Sequence, residues 1–277
     1  MGKLFKIILI ETRNVCTRKC WFCKFGQERQ DESSSQMEWG TIERIVYNLR
    51  DLNYKGRISW FLINEPLLEK RLFEILRFTK KNCPNSFISL NTNGDLLDRE
   101  VFERLIASGL DALAVSVYDD AVLSKIADLK DDKRLVVLDM RNPSHGLLEN
   151  RGGNIKNNSN FFEADRLRFA NKACAQPFTM MAINVRGQVV LCCADMYGDV
   201  VMGDVNEERL ESIWNGKQFE HYRNHLATEG RRGLKMCDAC SHNGAASPVY
   251  YPLQSRPSFL GNAAVPVQRL IMKYRNT

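Results

Sequence analysis

Short apolar runs alternate with amphipathic stretches along the first half of the chain. The runs of strand length lie at residues 5–12, 57–63, 87–91, 112–117 and 135–139. The stretches with apolar residues at helical spacing lie between them, at residues 41–52, 68–82, 98–108 and 120–130. Alternation of this kind is typical of parallel βα units. The pattern therefore predicts an α/β fold, a partial (β/α) barrel of about five parallel strands, with no sixth strand evident.

The second half of the chain begins with a polar connection and continues in a different pattern. Residues 141–160 are rich in Asn, Arg and Gly. Residues 178–185 and 188–191 predict a β-hairpin that turns at Arg186-Gly187. Residues 206–225 predict a helix with an apolar face. We divide the chain into a core (1–140), a connecting segment (141–170), a second region (171–246) and a tail (247–277).

The composition is that of an ordinary globular protein. Of the 277 residues, 44% are apolar and 26% are charged, which argues against a disordered or fibrous chain. Four of the six net positive charges lie in the tail, at Arg256, Arg269, Lys273 and Arg275, and the tail has no Asp or Glu. Because the rest of the chain is close to neutral, we do not expect a nucleic-acid partner.

The sequence also bears on the compartment. No stretch reaches the roughly 18–20 apolar residues of a membrane span. Lys6 interrupts the apolar start and Glu11 ends it, with no small-residue cleavage site after it, so we expect a cytoplasmic protein and no membrane partner. The nine cysteines are an odd number. In a cytosolic chain they indicate metal or redox chemistry rather than a disulfide framework.

Three cysteines lie directly after the first predicted strand. Cys16, Cys20 and Cys23 have the spacing C-x3-C-x2-C, and loops at the carboxyl ends of barrel strands are where such folds build active sites. Three thiolates on one short loop can hold three irons of a [4Fe–4S] cluster and leave the fourth iron open. Zinc or a purely structural role is the alternative, but zinc usually needs a fourth protein ligand, and no histidine lies nearby.

This motif resembles that of the radical S-adenosylmethionine (SAM) superfamily, in which an aromatic residue before the third cysteine, here Phe22, is also typical. The resemblance implies that the open iron binds the amino and carboxylate groups of SAM. It assigns Glu65, which follows Asn64 where the family usually has glycine, to the SAM amino group. It places Asn91 near the SAM ribose or methionine. The alternatives are a buried loop glutamate and a plain turn at residues 92–94.

A second set of cysteines lies in the second region. Cys174 is followed by Gly187 after twelve residues, by Cys192 after four more, and later by Cys237 and Cys240. This arrangement resembles the twitch domain, a shortened SPASM domain, of radical SAM enzymes. The resemblance implies a hairpin and a helix that hold an auxiliary [4Fe–4S] cluster with four thiolates. A structural zinc ribbon is the alternative, because C-x2-C alone does not separate the two metals.

Two cysteines lie outside these motifs. Cys83 follows a predicted helix and has no expected role. Cys193 directly follows Cys192. Cys193 is a candidate hydrogen donor to a substrate radical, and the alternatives are a packed small residue or a different cluster ligand.

Further short matches extend the resemblance over about residues 3–245. They favour twitch-domain dehydrogenases that oxidise a cyclitol alcohol to a ketone. The matching positions are Trp21, 65–68, 93–95, 150–153, 201–203 and 213–214. The resemblance implies that a 5′-deoxyadenosyl radical derived from SAM removes hydrogen from a hydroxyl-bearing carbon, and that the auxiliary cluster accepts the second electron. The implied partners are a small-molecule alcohol (a polyol, aminocyclitol or sugar derivative) and an electron donor such as flavodoxin or ferredoxin.

Two further residues are candidates for handling the substrate. Arg151 matches a position proposed as proton acceptor in such a dehydrogenase, but the pKa of arginine exceeds about 12. We therefore expect Arg151 to stabilise a developing oxyanion. Asp195 is a candidate carboxylate for the proton, or a turn residue after the hairpin. The related dehydrogenase has an acidic residue two positions after the hairpin cysteine, where this chain has Ala194, and this argues against the same cyclitol substrate.

Three other functions fit parts of the pattern. A radical epimerase would use Cys193 to return hydrogen to the opposite face of the substrate. A peptide-modifying maturase often carries a leader-binding domain, for which the residues before Phe5 leave no room. A zinc-binding module whose basic tail grips an acidic partner is the non-enzymatic alternative. Metal content separates these classes, since about eight irons per chain support an enzyme with two clusters and zinc without iron supports the module.

Overall fold

The fold is built on one sheet whose strands run mostly in parallel. The computed structural model describes residues 4–26, 35–141, 148–155 and 159–246. The strands are β1 (Ile7–Ile10), β2 (Arg57–Ser59), β3 (Phe87–Thr92), β4 (Ala112–Val117), β5 (Leu135–Asp139), β6 (Met180–Ile183), β7 (Gln188–Val190) and β8 (Val201–Asp204). Their order in the sheet is β5-β4-β3-β2-β1-β6-β7-β8. The strands from β5 to β6 pair in parallel, and the two final pairings are antiparallel.

Eight α-helices connect or follow these strands in the described part of the chain. They are α1 (Trp39–Asp51), α2 (Leu72–Asn82), α3 (Arg99–Ala107), α4 (Asp120–Lys125), α5 (Ser159–Phe169), α6 (Gln176–Thr179), α7 (Leu210–Trp214) and α8 (Lys217–Thr228). Short 3-10 turns lie at Lys24–Gly26, Pro66–Leu68 and Ala127–Leu129. None of the described helices combines the length and the apolar character that crossing a bilayer requires.

The two faces of the sheet have different neighbours. Side chains alternate along a strand, so Ile8 and Ile10 of β1 join the large core formed with α1, α2 and α3, while Ile7 and Leu9 face the other way. All four are buried, as expected for a parallel strand covered on both faces. The face of Ile7 and Leu9, which we call the inner face, also contacts residues from the connecting segment and the second region.

The inner face carries small and polar residues in the middle of the sheet. Ser59, Ser89 and Ala112 lie side by side on neighbouring strands, and Ala114 is the next inner residue on β4. The hydroxyls of Ser59 and Ser89 are buried and have no hydrogen-bond partner among the described residues. Small side chains leave room above the sheet, and unpaired hydroxyls offer contacts to a polar ligand.

The first strand of the predicted hairpin extends the parallel sheet. β6 pairs with β1 over four residues, from Ile7 opposite Met180 to Ile10 opposite Ile183. β6 is therefore the sixth parallel strand. The sequence pattern does not reveal it, because the place of β6 in the sheet depends on pairing with β1, some 170 residues away. The sheet stays open, with β5 and β8 at its edges. The predicted α/β fold with a partial barrel is confirmed, and the core and second region share one sheet.

Several predicted boundaries are wrong in detail. The strand predicted at 57–63 ends at Ser59, because the chain leaves the sheet there as a loop. The helix predicted at 68–82 begins at Leu72, because Pro66–Leu68 forms a 3-10 turn instead. The helix predicted at 120–130 ends at Lys125 and is followed by another such turn.

Two errors concern whole elements of the second half. The helix predicted at 206–225 is two helices, α7 and α8, because the backbone is extended at Gly216 between them. The segment predicted as a connection contains a helix, α5, which begins at Ser159. The apolar residues of α5 do not fall on one face, so helical periodicity gives no signal there. The basic tail lies outside the described residues.

Arg223 joins the C-terminal helices to the strand that enters the sheet. It is buried, its Nε donates to the Pro177 carbonyl at 2.8 Å, and its Nη1 donates to the Trp214 carbonyl at 2.7 Å. Its guanidinium lies 3.9 Å from the Trp214 ring centroid and 4.6 Å from that of Phe219. Pro177 lies in α6, which leads into β6, so one side chain fixes α7 and α8 against the segment after Cys174.

We expect Arg223→Leu to destabilise the iron-loaded protein by about 2–3 kcal/mol, because two buried carbonyls lose charged donors. Thermal unfolding under anaerobic conditions should show a melting temperature lower by roughly 5–10 °C. Arg209→Leu is the matched control, since Arg209 is mostly exposed and pairs with exposed Asp51 at 3.3 Å. Equal losses in the two variants would contradict this role of Arg223.

Candidate active site

The carboxyl ends of the parallel strands bring the predicted site residues to one edge of the sheet. β1 leads into the loop of Cys16, β2 leads into Asn64 and Glu65, and β3 leads into Asn93. The Glu65 N–H donates to the Val15 carbonyl at 2.9 Å, which joins the first two loops through the main chain. Residues that are far apart along the chain therefore form one site.

The three-cysteine loop (residues 16–23) is compact and partly exposed. All three of its cysteines are intermediate in exposure, and the Cys23 N–H donates to the Cys20 carbonyl at 3.0 Å. Gly26 closes the loop, because its N–H donates to the Cys23 carbonyl at 3.0 Å. A Cβ at Gly26 would lie 2.1 Å from the Cys20 carbonyl oxygen, so only glycine fits. Sequence reasoning missed Gly26, because this approach arises from the turn at Lys24–Gly26.

Arg18, inside the loop, attaches it to the neighbouring strand ends. Its Nε donates to the two carboxylate oxygens of Asp95 at 2.9 and 3.0 Å, and its Nη2 donates to Asp119 Oδ2 at 2.7 Å. Thr17 Oγ1 also donates to Asp95 at 2.7 Å. Burial acts to raise the pKa of Asp95, but these hydrogen bonds outweigh it and lower the pKa. Asp95 therefore stays charged and holds the loop against the end of β3.

A buried ion pair holds the other end of the loop. Lys24 Nζ lies 3.2 Å from Glu11 Oε1, and the two side chains are only 5% and 3% exposed. Glu11 directly follows β1. An isolated charge would be costly at this depth, so each member of the pair depends on the other. The loop is thus tied at both ends to strand ends of the same sheet.

Two thiols of the loop, those of Cys16 and Cys20, are held neutral by their surroundings. Burial raises the pKa of Cys16, although the Arg18 backbone N–H lies 3.4 Å from its Sγ and Asn93 Nδ2 lies 3.6 Å from it. Burial and the neighbouring thiols raise the pKa of Cys20 to about 11. A bound cation displaces such protons, and the two N–H groups then favour the thiolate. The donor set fits three ligands of an iron–sulfur cluster.

Glu65 braces the loops after β2 and β3. Its Oε1 accepts the Thr92 hydroxyl at 2.7 Å and the Leu67 N–H at 3.1 Å, and its Oε2 accepts the Asn93 N–H at 2.9 Å. It is 2% exposed, and burial raises its pKa. Beside it, Asn64 Nδ2 is buried without a hydrogen-bond partner among the described residues. Glu65 and Asn64 together therefore offer a polar ligand a firmly held carboxylate and an amide N–H donor.

Aromatic side chains line the site above the ends of β3 and β4. Phe22 packs on Tyr118 with ring centroids 5.8 Å apart and on Trp21 at 5.5 Å. Burial raises the pKa of Tyr118 to about 12, with a further effect of nearby Cys20. Asn91, on β3, is half-buried on the inner face next to Ala114 of β4. Tyr118 was missed by sequence reasoning, although it follows a predicted strand at the edge where active sites form.

The second set of cysteines surrounds a cavity, which we call the auxiliary cavity. It is lined by Cys174, Cys192, Cys237 and Cys240 together with Pro177, Leu191 and Met236 among others. All four cysteines are buried. Among the residues that the structure describes, no three His, Cys, Asp or Glu side chains converge as the ligands of a single metal ion do. Thiols placed around an apolar space suit a cluster of several metal atoms better than one zinc ion.

The charge state of these thiols also fits metal ligation. Burial and the neighbouring thiols raise the pKa of Cys192 well above its usual range, and burial raises the pKa of Cys240 to about 12. Burial also acts to raise the pKa of Cys174, but the adjacent His242 ring outweighs it and the pKa is lowered. Without a cation, most of the thiols in this cavity are neutral, so ligation would release protons.

The predicted connecting segment is part of the wall of the auxiliary cavity. Asn150 Nδ2 donates to the Ala239 carbonyl at 2.7 Å, and Asn150 Oδ1 accepts the Ser241 N–H at 2.9 Å. Gly152 and Gly153 have positive φ angles of 63° and 87°, and a Cβ at Gly153 would lie 2.7 Å from that of Ala239. Residues 150–153 therefore pack directly on the C-x2-C segment, and the two glycines allow this approach.

The candidate catalytic residues separate into two groups. Arg151 lies beside Cys193, since its Nη1 donates to the Cys193 carbonyl at 3.4 Å, and its charge also interacts with Cys23 of the three-cysteine loop. Burial raises the pKa of Cys193, which lines the auxiliary cavity, to about 12. Asp195 instead accepts the Asp199 N–H at 2.8 Å and the Val200 N–H at 2.9 Å. Its carboxylate braces the turn, which favours the turn interpretation for this residue.

Comparisons with known proteins agree with both parts of the site. Residues 10–126 match the radical SAM superfamily, and residues 174–241 match SPASM, an iron–sulfur cluster-binding domain. The S-adenosyl-L-methionine-dependent 2-deoxy-scyllo-inosamine dehydrogenase of Niallia circulans is 30% identical over 258 residues, which cover 91% of this chain and 98% of that protein.

Two solved structures are similar over most of their length. The crystal structure of BtrN in complex with AdoMet and 2-DOIA has a TM-score of 0.75 at 27% identity and covers 87% of this chain and 94% of that chain. The crystal structure of selenomethionine BtrN in an open conformation has a TM-score of 0.68 at 25% identity, with the same coverage. The fold described here is thus more similar to the ligand-bound form than to the open form.

We expect Gly26→Ala to disrupt the three-cysteine loop, because the added methyl group meets the Cys20 carbonyl. After anaerobic reconstitution, iron should fall from about eight to about four per chain, since only the auxiliary cluster is retained. Gly40→Ala is the matched control, because a Cβ there meets nothing within 4 Å and alanine favours the helix. Full iron content in Gly26→Ala would show that the loop tolerates the clash.

Proposed function

The chain belongs to the radical SAM superfamily, and we propose that it is a dehydrogenase that oxidises a hydroxyl-bearing carbon of a polyol, aminocyclitol or sugar derivative to a ketone. The relative named as a 2-deoxy-scyllo-inosamine dehydrogenase supports this reaction class. The observation that carries the proposal is the position of Arg151, which donates to the Cys193 carbonyl at the wall of the auxiliary cavity and is close enough to Cys23 of the three-cysteine loop for their charges to interact. Oxidation of an alcohol releases a hydrogen atom, a proton and an electron. Two cofactor sites would take the hydrogen atom and the electron, the proton passes to water, and the cationic group stabilises the oxygen.

We assign the ligands as follows. Cys16, Cys20 and Cys23 hold the SAM-binding [4Fe–4S] cluster, and the four cysteines of the auxiliary cavity hold an auxiliary [4Fe–4S] cluster. When bound, the first cluster with SAM supplies the 5′-deoxyadenosyl radical that removes hydrogen, and the auxiliary cluster supplies an electron acceptor. The protein contributes binding, orientation and electrostatics.

The residues around Glu65 form the SAM-binding part of the site in this proposal. Glu65, fixed by three hydrogen bonds, presents its carboxylate to the SAM amino group. The free Nδ2 of Asn64 and the half-buried Asn91 on the inner face offer polar contacts. Phe22, which packs on Tyr118, covers one side of the loop of cysteines.

Arg151 stabilises the oxygen of the substrate as its proton passes to water. The guanidinium keeps its own proton at any physiological pH, so it acts by hydrogen bonding and charge rather than as a base. Its left-handed backbone, with a φ of 49°, points to a conformation selected for function, since a non-glycine residue adopts it at a cost. Asp195 is engaged by backbone N–H groups, and we assign it to the turn rather than to the proton.

The substrate differs from that of the named relative in this proposal. Ala194 is buried and lines the auxiliary cavity, where an acidic side chain would offer a hydrogen-bond acceptor. A substrate without a matching donor at that position suits the alanine. The electron donor is a small redox protein such as flavodoxin or ferredoxin, and the reaction takes place in the cytoplasm.

Anaerobic incubation of the iron-loaded enzyme with SAM, a reductant and candidate alcohols tests the reaction. We expect one carbonyl product for each 5′-deoxyadenosine, measured by mass spectrometry after derivatisation. Cys237→Ala should keep SAM cleavage but lower the carbonyl yield at least tenfold, because the electron acceptor is lost. Cys83→Ala is the control, since Cys83 lies under α1 with its Sγ 3.7 Å from the Val46 carbonyl, away from both sites. SAM cleavage with no carbonyl from any alcohol would refute the dehydrogenase.

The epimerase alternative predicts a different outcome for Cys193. Its thiol lines the auxiliary cavity and is neutral, so it carries a hydrogen atom to donate. If the enzyme is a dehydrogenase, Cys193→Ala should retain at least half of the carbonyl yield, and turnover in deuterated water should place no deuterium on the reacting carbon. Deuterium in a product of unchanged oxidation state, lost in Cys193→Ala, would instead establish the epimerase.

A further inference from the structure

One carboxylate lies between Arg151 and the auxiliary cavity. Glu149 lines this cavity, its Oε1 lies 3.2 Å from Arg151 Nη1, and its Oε2 lies 3.9 Å from His242 Nε2. The Glu149 side chain is 15% exposed, so both contacts are made largely away from water, where charge interactions are strong. Oε2 has no hydrogen-bond partner among the described residues and faces His242, and the carboxylate charge also acts on the Cys193 and Cys240 thiols.

His242 faces the auxiliary cysteines from the other side. Its Nδ1 accepts the Gly244 N–H at 2.9 Å, so the proton of the neutral ring lies on Nε2, the atom that faces Glu149. Its backbone N–H lies 3.4 Å from Cys240 Sγ, and its ring neighbours the Cys174 thiol. N–H groups at cluster sulfurs and nearby charge are the protein's means of setting a cluster potential.

The backbone keeps these groups in register. Asn150, between Glu149 and Arg151, is bonded through its N–H to Ser241 Oγ at 2.9 Å and through its side chain to the main chain at residues 239 and 241. Ser241 directly precedes His242. The carboxylate and the imidazole therefore sit on two segments that are joined one residue away, and their separation does not depend on long flexible side chains alone.

We propose that Glu149 is a positioning residue that couples the two ends of the site, holding the Arg151 guanidinium toward the substrate and the His242 ring toward the auxiliary cysteines. The proposal rests on the dehydrogenase function above. Through Oε1, Glu149 fixes the donor geometry of Arg151, whose other N–H groups then meet the substrate oxygen. Through its charge and Oε2, it makes reduction of the auxiliary cluster less favourable and orients the histidine.

The test compares the iron-loaded enzyme with its Glu149→Gln variant. Redox titration followed by electron paramagnetic resonance measures the two cluster potentials separately. Loss of the carboxylate charge should favour reduction of the auxiliary cluster about tenfold, a rise of about 59 mV for one electron, and leave the SAM-binding cluster unchanged. The carbonyl yield per 5′-deoxyadenosine should fall about tenfold, because Arg151 loses its tether.

Two further variants make the test specific. Glu163→Gln removes an exposed carboxylate that pairs with Arg166 on α5, and it should change neither the potentials nor the yield. His242→Gln should also shift the auxiliary potential, and the additional effect of Glu149→Gln in that background should be smaller than in the unmodified enzyme. If Glu149→Gln does not hold its iron, the His242→Gln potential decides, and an unchanged value overturns the proposal.

The outcomes separate this inference from the proposed function. An auxiliary potential and a carbonyl yield that both stay unchanged in Glu149→Gln overturn the positioning role. If the unmodified enzyme cleaves SAM but forms no carbonyl, the dehydrogenase proposal fails. In that case the auxiliary potential still shows whether Glu149 acts on the auxiliary site, because that measurement needs no substrate.

Discussion

The parallel pairing of β1 with β6 is the interaction on which the rest of the structure depends. β1 ends at the three-cysteine loop, and β6 begins the hairpin that leads to Cys192. Main-chain hydrogen bonds such as Glu11 N–H to the Ile183 carbonyl at 2.9 Å continue the pairing beyond β1. The three-cysteine loop follows β1, and Cys174 and Cys192 flank the segment of β6 and β7. The separation of these cysteines is therefore set by backbone geometry, which is rigid compared with a linker between two independent domains.

A second constraint is the close packing of residues 150–153 on the C-x2-C segment. The contact needs a left-handed backbone at Arg151, Gly152 and Gly153, and the hydrogen bonds of Asn150 hold it in place. Left-handed backbone is costly for a residue with a Cβ, so the glycines absorb most of this cost and Arg151 bears the remainder. This packing brings the Glu149 carboxylate to the wall of the auxiliary cavity and the Arg151 guanidinium beside the Cys193 carbonyl.

The polar groups of the site follow one physical rule, which is that buried charge is paired or neutral. Glu11 and Lys24 neutralise each other below the cysteine loop, and Arg18 pairs with Asp95 beside it. Thiols with a raised pKa, such as those of Cys20 and Cys192, avoid the cost by staying protonated, whereas the pKa of Cys174 is lowered next to His242. Glu149 follows the same rule through its pairing with Arg151, and its other carboxylate oxygen faces the His242 imidazole.

The sequence by itself determined the alternation of strands and helices, the two cysteine sets and the superfamily, because periodicity and ligand spacing are properties of short stretches of chain. It also placed Arg151, Glu65 and Phe22 among the candidates through short motif matches. The sequence pattern predicted one helix at 206–225, where the structure has α7 and α8 with a break between them. It gave no sign of α5, because the apolar residues of that helix have only weak helical periodicity. The sequence left the role of Asp195 open, because an aspartate after a hairpin can either accept a proton from the substrate or accept backbone N–H groups of the turn.

Only the tertiary structure decided which distant residues meet. The sixth parallel strand, the approach of Gly26 to Cys20, and the place of Glu149 between Arg151 and His242 each depend on segments that are remote along the chain or on a turn geometry that no motif encodes. The spacing of residues in one stretch of chain indicates which metal group that stretch can bind and which secondary structure it can form. Burial, which sets the pKa of a thiol and the strength of an ion pair, arises when many stretches pack together, and so it was settled by the fold.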